Sequence, residues 1–142
     1  MAELNEIRRL LRVAADARLE NRGVLAKYAD AQLAAMYNGI GPESFPAWLR
    51  AALDALHPSL AAAAVIHDVE WTESDGTRAS FDASNARFRR NGLLLAKALH
   101  AWWSPRRYLV AFDAWRFSRA CARFGWGAWT AAHAARGAEA AR

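Results

Sequence analysis

The stretch SLAAAAVIHDVEW, residues 59–71, is the segment on which the fold prediction is built. It is apolar from Leu60 to Ile66, and its polarity is then concentrated in the adjacent pair His67-Asp68. We predict a helix from Ser59 through Trp71 that carries this pair. An imidazole titrates near neutral pH and a carboxylate is a hard oxygen ligand, so the pair is the strongest candidate site in the chain.

Length and composition predict one globular domain. The chain has 142 residues, of which 54% are hydrophobic and 23% are charged. Its single cysteine, Cys121, excludes an internal disulfide, fits a reducing compartment and is predicted to pack in a helix. No apolar run approaches the roughly 18 residues of a membrane span, and the N-terminus lacks the apolar core of a signal peptide.

Charge is distributed unevenly along the chain. Residues 1–85 hold eight basic and twelve acidic residues, whereas residues 86–142 hold eleven basic and two acidic ones. An anionic partner would therefore meet the C-terminal half first.

The helical period dominates the sequence, and we predict a mostly α, single-domain helical bundle with at most one small β-hairpin. Gly23 and its neighbours are predicted to end the first helix, and turn residues separate the later segments. The predicted parts are N-terminal helices within 3–36, a core over 37–100, a basic helix at 105–123 and a frayed tail at 131–142. Within the core we predict helices at 45–56, at 59–71 and from Ser80, and the one hairpin would lie at 70–80.

The helix after Ser80 presents a narrow inward stripe with 4-3-4-3-4 spacing: Phe81, Asn85, Phe88, Gly92, Leu95 and Leu99. A buried amide without a partner costs roughly 1–3 kcal/mol, so something polar should face Asn85, and His67 is the natural candidate. The alternative is a core histidine capped by an amide, with no chemistry. Gly92 indicates close packing of another element.

Adjacent residues on a helix diverge by about 100°, so His67 and Asp68 cannot share one face. If His67 faces the next helix, Asp68 points toward the glycine loop at 37–42. Loop carbonyls and one carboxylate would make a hard-cation site. In the alternative interpretation, Asp68 caps or bridges and Asn38-Gly39 is only a turn.

Three stretches together resemble the phospholipase A2-like superfamily, including its short, cysteine-poor members from phages and prophages. They are YNGIGP at 37–42, IHDVEW at 66–71 and NARF at 85–88. The resemblance implies a calcium-dependent lipid esterase in which His67 is the base and Asn85 orients it. It also implies that Asp68 binds Ca²⁺ together with the loop positions Asn38, Gly39 and Gly41.

The chain departs from the family pattern at three points. The orienting residue is Asn85 where the family normally has aspartate, and an amide cannot stabilise an imidazolium by charge. Asp82, one helical turn earlier, is an alternative catalytic carboxylate. Trp71 stands where the family usually has tyrosine, and the loop has fewer glycines than the strong calcium-binding pattern.

The predicted C-terminal helix offers a second candidate surface for an anionic partner. Its arginines are Arg106, Arg107, Arg116, Arg119 and Arg123. The aromatic residues Tyr108, Phe112 and Trp115 follow a neighbouring strip, and Trp102-Trp103 precede the helix. The alternative is an ordinary amphipathic helix with its aromatics in the core and its arginines solvated.

Two functions from different classes therefore remain open. The first is a weak or vestigial calcium-dependent phospholipase or esterase of phage type. The second is a non-enzymatic phage or prophage module that binds a host or virion protein, or another anionic partner, through its C-terminal half. A phospholipid surface fits the first, and no known nucleic-acid-binding signature is present. Either function implies the host bacterial cytoplasm or the virion.

Overall fold

The computed structural model describes residues 4–37 and 58–142, and in these ranges the protein is a mostly α, single-domain helical bundle. The described ranges contain no β-strand, and none of their helices is long and apolar enough to cross a membrane. The elements are α1 (Leu4–Asp16), a 3-10 helix (Arg22–Lys27), α2 (Asp30–Met36), a second 3-10 helix (Pro58–Leu60), α3 (Ala61–Glu73), α4 (Arg78–Leu99), α5 (Pro105–Phe124) and α6 (Trp126–Ala140).

The first helix ends earlier than the sequence predicted, and Gly23 is not its terminator. Arg18 adopts the left-handed conformation at φ 52°, the Leu19 N–H donates to the Ala14 carbonyl, and the Arg18 N–H donates to the Ala15 carbonyl. These two bonds form a Schellman cap, in which Leu19 becomes fully buried against the core. An arginine in the left-handed position is uncommon, so the sequence carried no glycine signal for this cap.

Residues 70–80 form a helix–turn–helix and not a hairpin. α3 continues to Glu73, and the Thr77 hydroxyl accepts a hydrogen bond from the Ser80 N–H at 3.2 Å, which begins α4. Asp75 accepts hydrogen bonds from Ser80 and Thr77, and these lower the pKa of its carboxyl to about 2. The turn residues recognised in the sequence therefore cap a helix.

The tail at 131–142, predicted to be frayed, is helical to Ala140, and α6 docks on the end of α3. The His133 Nδ1–H donates to the Trp129 carbonyl at 2.7 Å, so Nε2 accepts a hydrogen bond from the Ser74 hydroxyl at 2.6 Å. Arg136 donates to the carbonyls of Trp71 and Thr72 in the last turn of α3, where carbonyls have no N–H donor within the helix.

Among the described helices, the two longest are α4 and α5, and they form the main packing interface of this part of the chain. Phe81, Phe88 and Leu95 are buried as the stripe predicted, but Leu99 is 45% exposed. α3 packs against α4, and α1 packs against α2 and α3. The resulting core holds the His67-Asp68 segment between α4 and the N-terminal helices.

Candidate active site

The short turn between α3 and α4 makes these helices run back along one another, which brings His67 opposite Asn85. His67 Nε2 lies 3.1 Å from Asn85 Oδ1, and both side chains are buried. Because Oδ1 only accepts, Nε2 carries the proton and donates it. The contact predicted from the helical spacing is present.

Three aromatic rings surround the imidazole. The ring centroids of Trp71, Phe88 and Phe117 lie 5.7, 5.6 and 5.5 Å from that of His67, each in an edge-to-face arrangement. His67 is only 4% exposed. This burial lowers the pKa of its imidazole, while the Asn85 hydrogen bond and the nearby Glu70 act in the opposite direction.

A lowered pKa has a consequence for the tautomer of His67. The neutral ring carries one proton, and the bond to Asn85 holds that proton on Nε2. Nδ1 therefore carries the lone pair and is the nitrogen that can accept a proton from water. Asn85 Nδ2 is buried and makes no hydrogen bond within the described ranges.

Glu70 and Arg87 form an ion pair beside the histidine that the sequence interpretation missed. The Arg87 guanidinium donates to Glu70 Oε1, and Asn21 Nδ2 donates to the same oxygen at 2.6 Å. Glu70 is 9% exposed and the Arg87 side chain is 28% exposed, so the carboxylate is buried and the guanidinium is partly in contact with water. The signal was available, because Glu70 follows His67 at i+3 and so faces α4 as well.

Asp68 points away from His67, as the 100° divergence requires. It lies within electrostatic range of Tyr37, which follows α2, and of Cys121 on α5. Burial raises the pKa of the Asp68 carboxyl to about 7. Burial is also the main cause of the raised pKa values of the Tyr37 hydroxyl and the Cys121 thiol, and the Asp68 charge adds to it. Cys121 itself is fully buried, as predicted.

The donor set around Asp68 fits a hard cation only in part. Within 4–37 and 58–142, its carboxylate lacks a cationic partner. A bound cation would offset the free-energy cost of burying this negative charge. The other predicted ligands, Asn38, Gly39 and Gly41, lie outside the described residues, as does the predicted helix at 45–56. No group of three or more histidine, cysteine or carboxylate side chains capable of holding a metal occurs in the part described.

Asp82 does not belong to this site. Its side chain is 54% exposed and its Oδ1 lies 3.2 Å from Arg78 Nε on the outer side of α4. A residue three positions before Asn85 could share its face, but the bond to Arg78 holds the carboxylate in solvent. The prediction that Asp82 substitutes for the missing acid is therefore wrong.

The five predicted surface arginines fall into two groups on α5. Arg116, Arg119 and Arg123 continue the line of Leu109 and Phe112 with 3- and 4-residue spacing, so they share one exposed face. Arg106 and Arg107 lie at the first turn, with Arg107 roughly 14 Å before Arg116 by helical rise.

The aromatic residues on this line and beside it are on the surface, contrary to the interpretation that placed them in the core. Phe112 and Trp115 are 54% and 41% exposed, and Tyr108 is 63% exposed. Trp102 and Trp103, in the turn before α5, are 73% and 70% exposed. Apolar side chains of this size in one area mark an interaction site more often than a bare surface.

Comparison of the chain with protein-family models, curated proteins and solved structures finds no match.

Proposed function

We propose that the protein is a weak, calcium-dependent lipid ester hydrolase with a phospholipase A2-like His-Asp site. The observation that supports this function is the His67–Asn85 hydrogen bond across the α3–α4 pair. It orients a neutral imidazole so that Nδ1 can take a proton from an attacking water.

Asp68 would hold the cation in this function. A desolvated carboxylate without a cationic partner in the described ranges is a suitable ligand for Ca²⁺, which would polarise the ester carbonyl when bound. His67 would remove the proton from water, and Asn85 would keep the ring in its productive orientation. Slow turnover follows from the amide at position 85 and from the 4% exposure of the ring.

The replacement Asn85→Asp should raise the rate of fatty-acid release by at least about tenfold. The carboxylate would stabilise the imidazolium that forms in the reaction. The replacement removes the Asn85 Nδ2 donor, but this loses no hydrogen bond within the described ranges because Nδ2 has no acceptor there. The measurement is release from mixed phosphatidylglycerol and phosphatidylcholine vesicles, with calcium or with a chelator.

His67→Ala and Asn85→Ala serve as matched controls and should lower the release to background. Thermal melting of each variant separates loss of chemistry from loss of fold. If neither the wild type nor Asn85→Asp releases fatty acid in the presence of calcium, the esterase function is wrong.

The second candidate function is a binding module, supported by the exposed aromatic and arginine residues of α5. A triple variant, Arg116→Gln, Arg119→Gln and Arg123→Gln, should lose at least about tenfold in affinity for an anionic protein partner. A pull-down from bacterial extract, quantified against the wild type, measures this loss.

A charge-matched variant provides the control for that experiment. Arg12→Gln, Arg89→Gln and Arg142→Gln remove the same charge at exposed positions outside the α5 face. This variant should retain binding. Equal loss in both triple variants would mean that net charge, and not this surface, attracts the partner.

A further inference from the structure

The exposed line of α5 from Leu109 to Arg123 is divided along the helix axis into an apolar part and a basic part, and Arg106 at the first turn is exposed beside this line. Its N-terminal part, with the preceding turn, exposes Trp102, Trp103, Tyr108, Leu109 and Phe112. Its C-terminal part carries Arg116, Arg119 and Arg123, and the Arg119 guanidinium lies 5.9 Å from the centre of the Trp115 ring, at the boundary between the two parts. We call this surface, residues 102–123 on the exposed side, the α5 face.

We propose that the α5 face binds an acidic amphipathic helix of a protein partner, aligned antiparallel to α5, with its acidic N-terminal turns against Arg116, Arg119 and Arg123. This inference rests on the second candidate function and is independent of the esterase. The remaining turns of the partner helix would place apolar side chains on the aromatic part.

Helix dipoles favour the antiparallel alignment. The C-terminus of a helix carries partial negative charge, which Arg123 in the last turn of α5 complements, and the N-terminus of a helix is stabilised by acidic residues. An antiparallel partner with acidic residues in its first turns therefore satisfies its own dipole and the three arginines together. Tryptophan, tyrosine and arginine are also the residues that contribute most to binding energy in protein interfaces.

The same division along the axis argues against a membrane surface. A helix that lies in a membrane interface separates apolar and charged residues across its axis, so that one side faces the lipid along its whole length. On the α5 face, Arg116 and Arg119 continue the same line as Leu109 and Phe112. A helix lying flat on lipid would bring these arginines to the depth of the aromatic rings, so their side chains would have to extend back to the headgroups.

Two other partners fit only part of the surface. Duplex DNA would neutralise the arginines through its phosphates but would leave the exposed tryptophans without an apolar contact. A second copy packed antiparallel would place the arginines of each copy against the aromatic part of the other, where neither copy offers a carboxylate, because Asp113 bonds Arg116 of its own helix at 3.0 Å.

The test uses two synthetic helical peptides of about 20 residues, the length that spans the α5 face by helical rise. The two peptides have the same composition. One carries four glutamates in its first two turns and the other carries them in its last two turns, and the remaining turns of each present leucine and alanine on one side of the helix. Fluorescence anisotropy at physiological salt should show that the full-length protein binds the N-terminally acidic peptide at least tenfold more tightly. Arg116→Gln with Arg119→Gln and Arg123→Gln should reduce that preference to less than threefold.

Further variants and probes make the result specific. Trp102→Ser with Trp103→Ser, both exposed and so tolerable for folding, should weaken both peptides to a similar degree. The variant with Arg12→Gln, Arg89→Gln and Arg142→Gln should keep the tenfold preference. Equal binding of both peptides would overturn the antiparallel alignment while leaving a basic binding module.

Other outcomes reject the protein partner. Tighter binding to phosphatidylglycerol vesicles, or to a 20-base-pair duplex, than to either peptide would overturn the inference. So would concentration-dependent self-association that the arginine variant abolishes, measured by sedimentation. Binding to none of these probes would reject both the inference and the binding-module function.

Discussion

Asp68→Asn is expected to stabilise the protein by about 2 kcal/mol at pH 8 and to change its stability little at pH 4. In the folded protein, burial raises the pKa of this carboxyl from 3.8 to about 7. The folded state therefore binds the proton more tightly than the unfolded chain does. Between these two pKa values the free energy of unfolding of the wild type falls as the pH rises. Asparagine has no proton to lose and avoids that penalty.

The measurement is chemical unfolding of both proteins from pH 4 to pH 8, reported as the difference at each pH. His67 acts in the opposite direction, because its lowered pKa makes the protein lose stability as the pH falls. That contribution is common to both proteins and largely cancels in the difference. A difference that does not change with pH would show that the carboxylate is not desolvated.

The effect of calcium on the melting temperature distinguishes an Asp68 carboxylate that is only buried from one that binds a metal ion. At pH 8, calcium should raise the melting temperature of the wild type and leave that of Asp68→Asn unchanged, because a ligand that binds only the folded state stabilises it by mass action. Magnesium serves as the control ion. A residue that destabilises the fold at neutral pH and is needed only for a bound cation is an expected compromise between stability and function.

Gly92→Ala is expected to destabilise the protein by about 2–3 kcal/mol, although alanine is the better helix former by about 1 kcal/mol. A Cβ atom at position 92 would lie inside van der Waals contact with the Ala114 Cβ, and 3.1 Å from Leu60 Cδ2. Since Ala114 lies on α5, the two helices would have to separate along their main interface. Urea unfolding measures the effect.

Gly127→Ala provides the matched control, because a Cβ at this position in α6 meets nothing within 4 Å. It should leave the stability unchanged or raise it by up to about 1 kcal/mol. The free energy of unfolding of the double variant, Gly92→Ala with Ala114→Gly, should be about 2 kcal/mol higher than the sum of the two single changes predicts. A stable Gly92→Ala single variant would contradict the close approach of α4 and α5.

Much of the local arrangement around His67 was predictable from the sequence, because it follows from helical periodicity. The 4-3-4-3-4 stripe correctly placed Asn85 opposite His67, and Gly92 correctly indicated a close contact. Prediction failed where a residue adopted an unfavoured conformation, as Arg18 did at the end of α1. It also failed for α6, because alanine-rich composition obscured the 3-4-3 spacing of Trp126, Trp129, His133 and Arg136.

The environment of the site could not be read from spacing along one helix. Phe117 reaches His67 from α5, which is distant in sequence, and Arg87 from α4 meets Glu70 on α3. Asp82 and Asn85 differ by one turn, yet Asp82 is exposed and pairs with Arg78 while Asn85 is buried against α3. These contacts depend on how the helices pack, and periodicity does not encode which helices become neighbours.

By itself, the sequence determined the helical class, the position of the His67-Asp68 pair and the divergence of its two side chains, because these depend on local helical geometry. Only the tertiary structure decided that three aromatic rings enclose the imidazole, that burial raises the pKa of Asp68, and that the aromatic residues of α5 stay exposed. Burial and desolvation depend on every element packed around a group, so they exist only once the chain has folded.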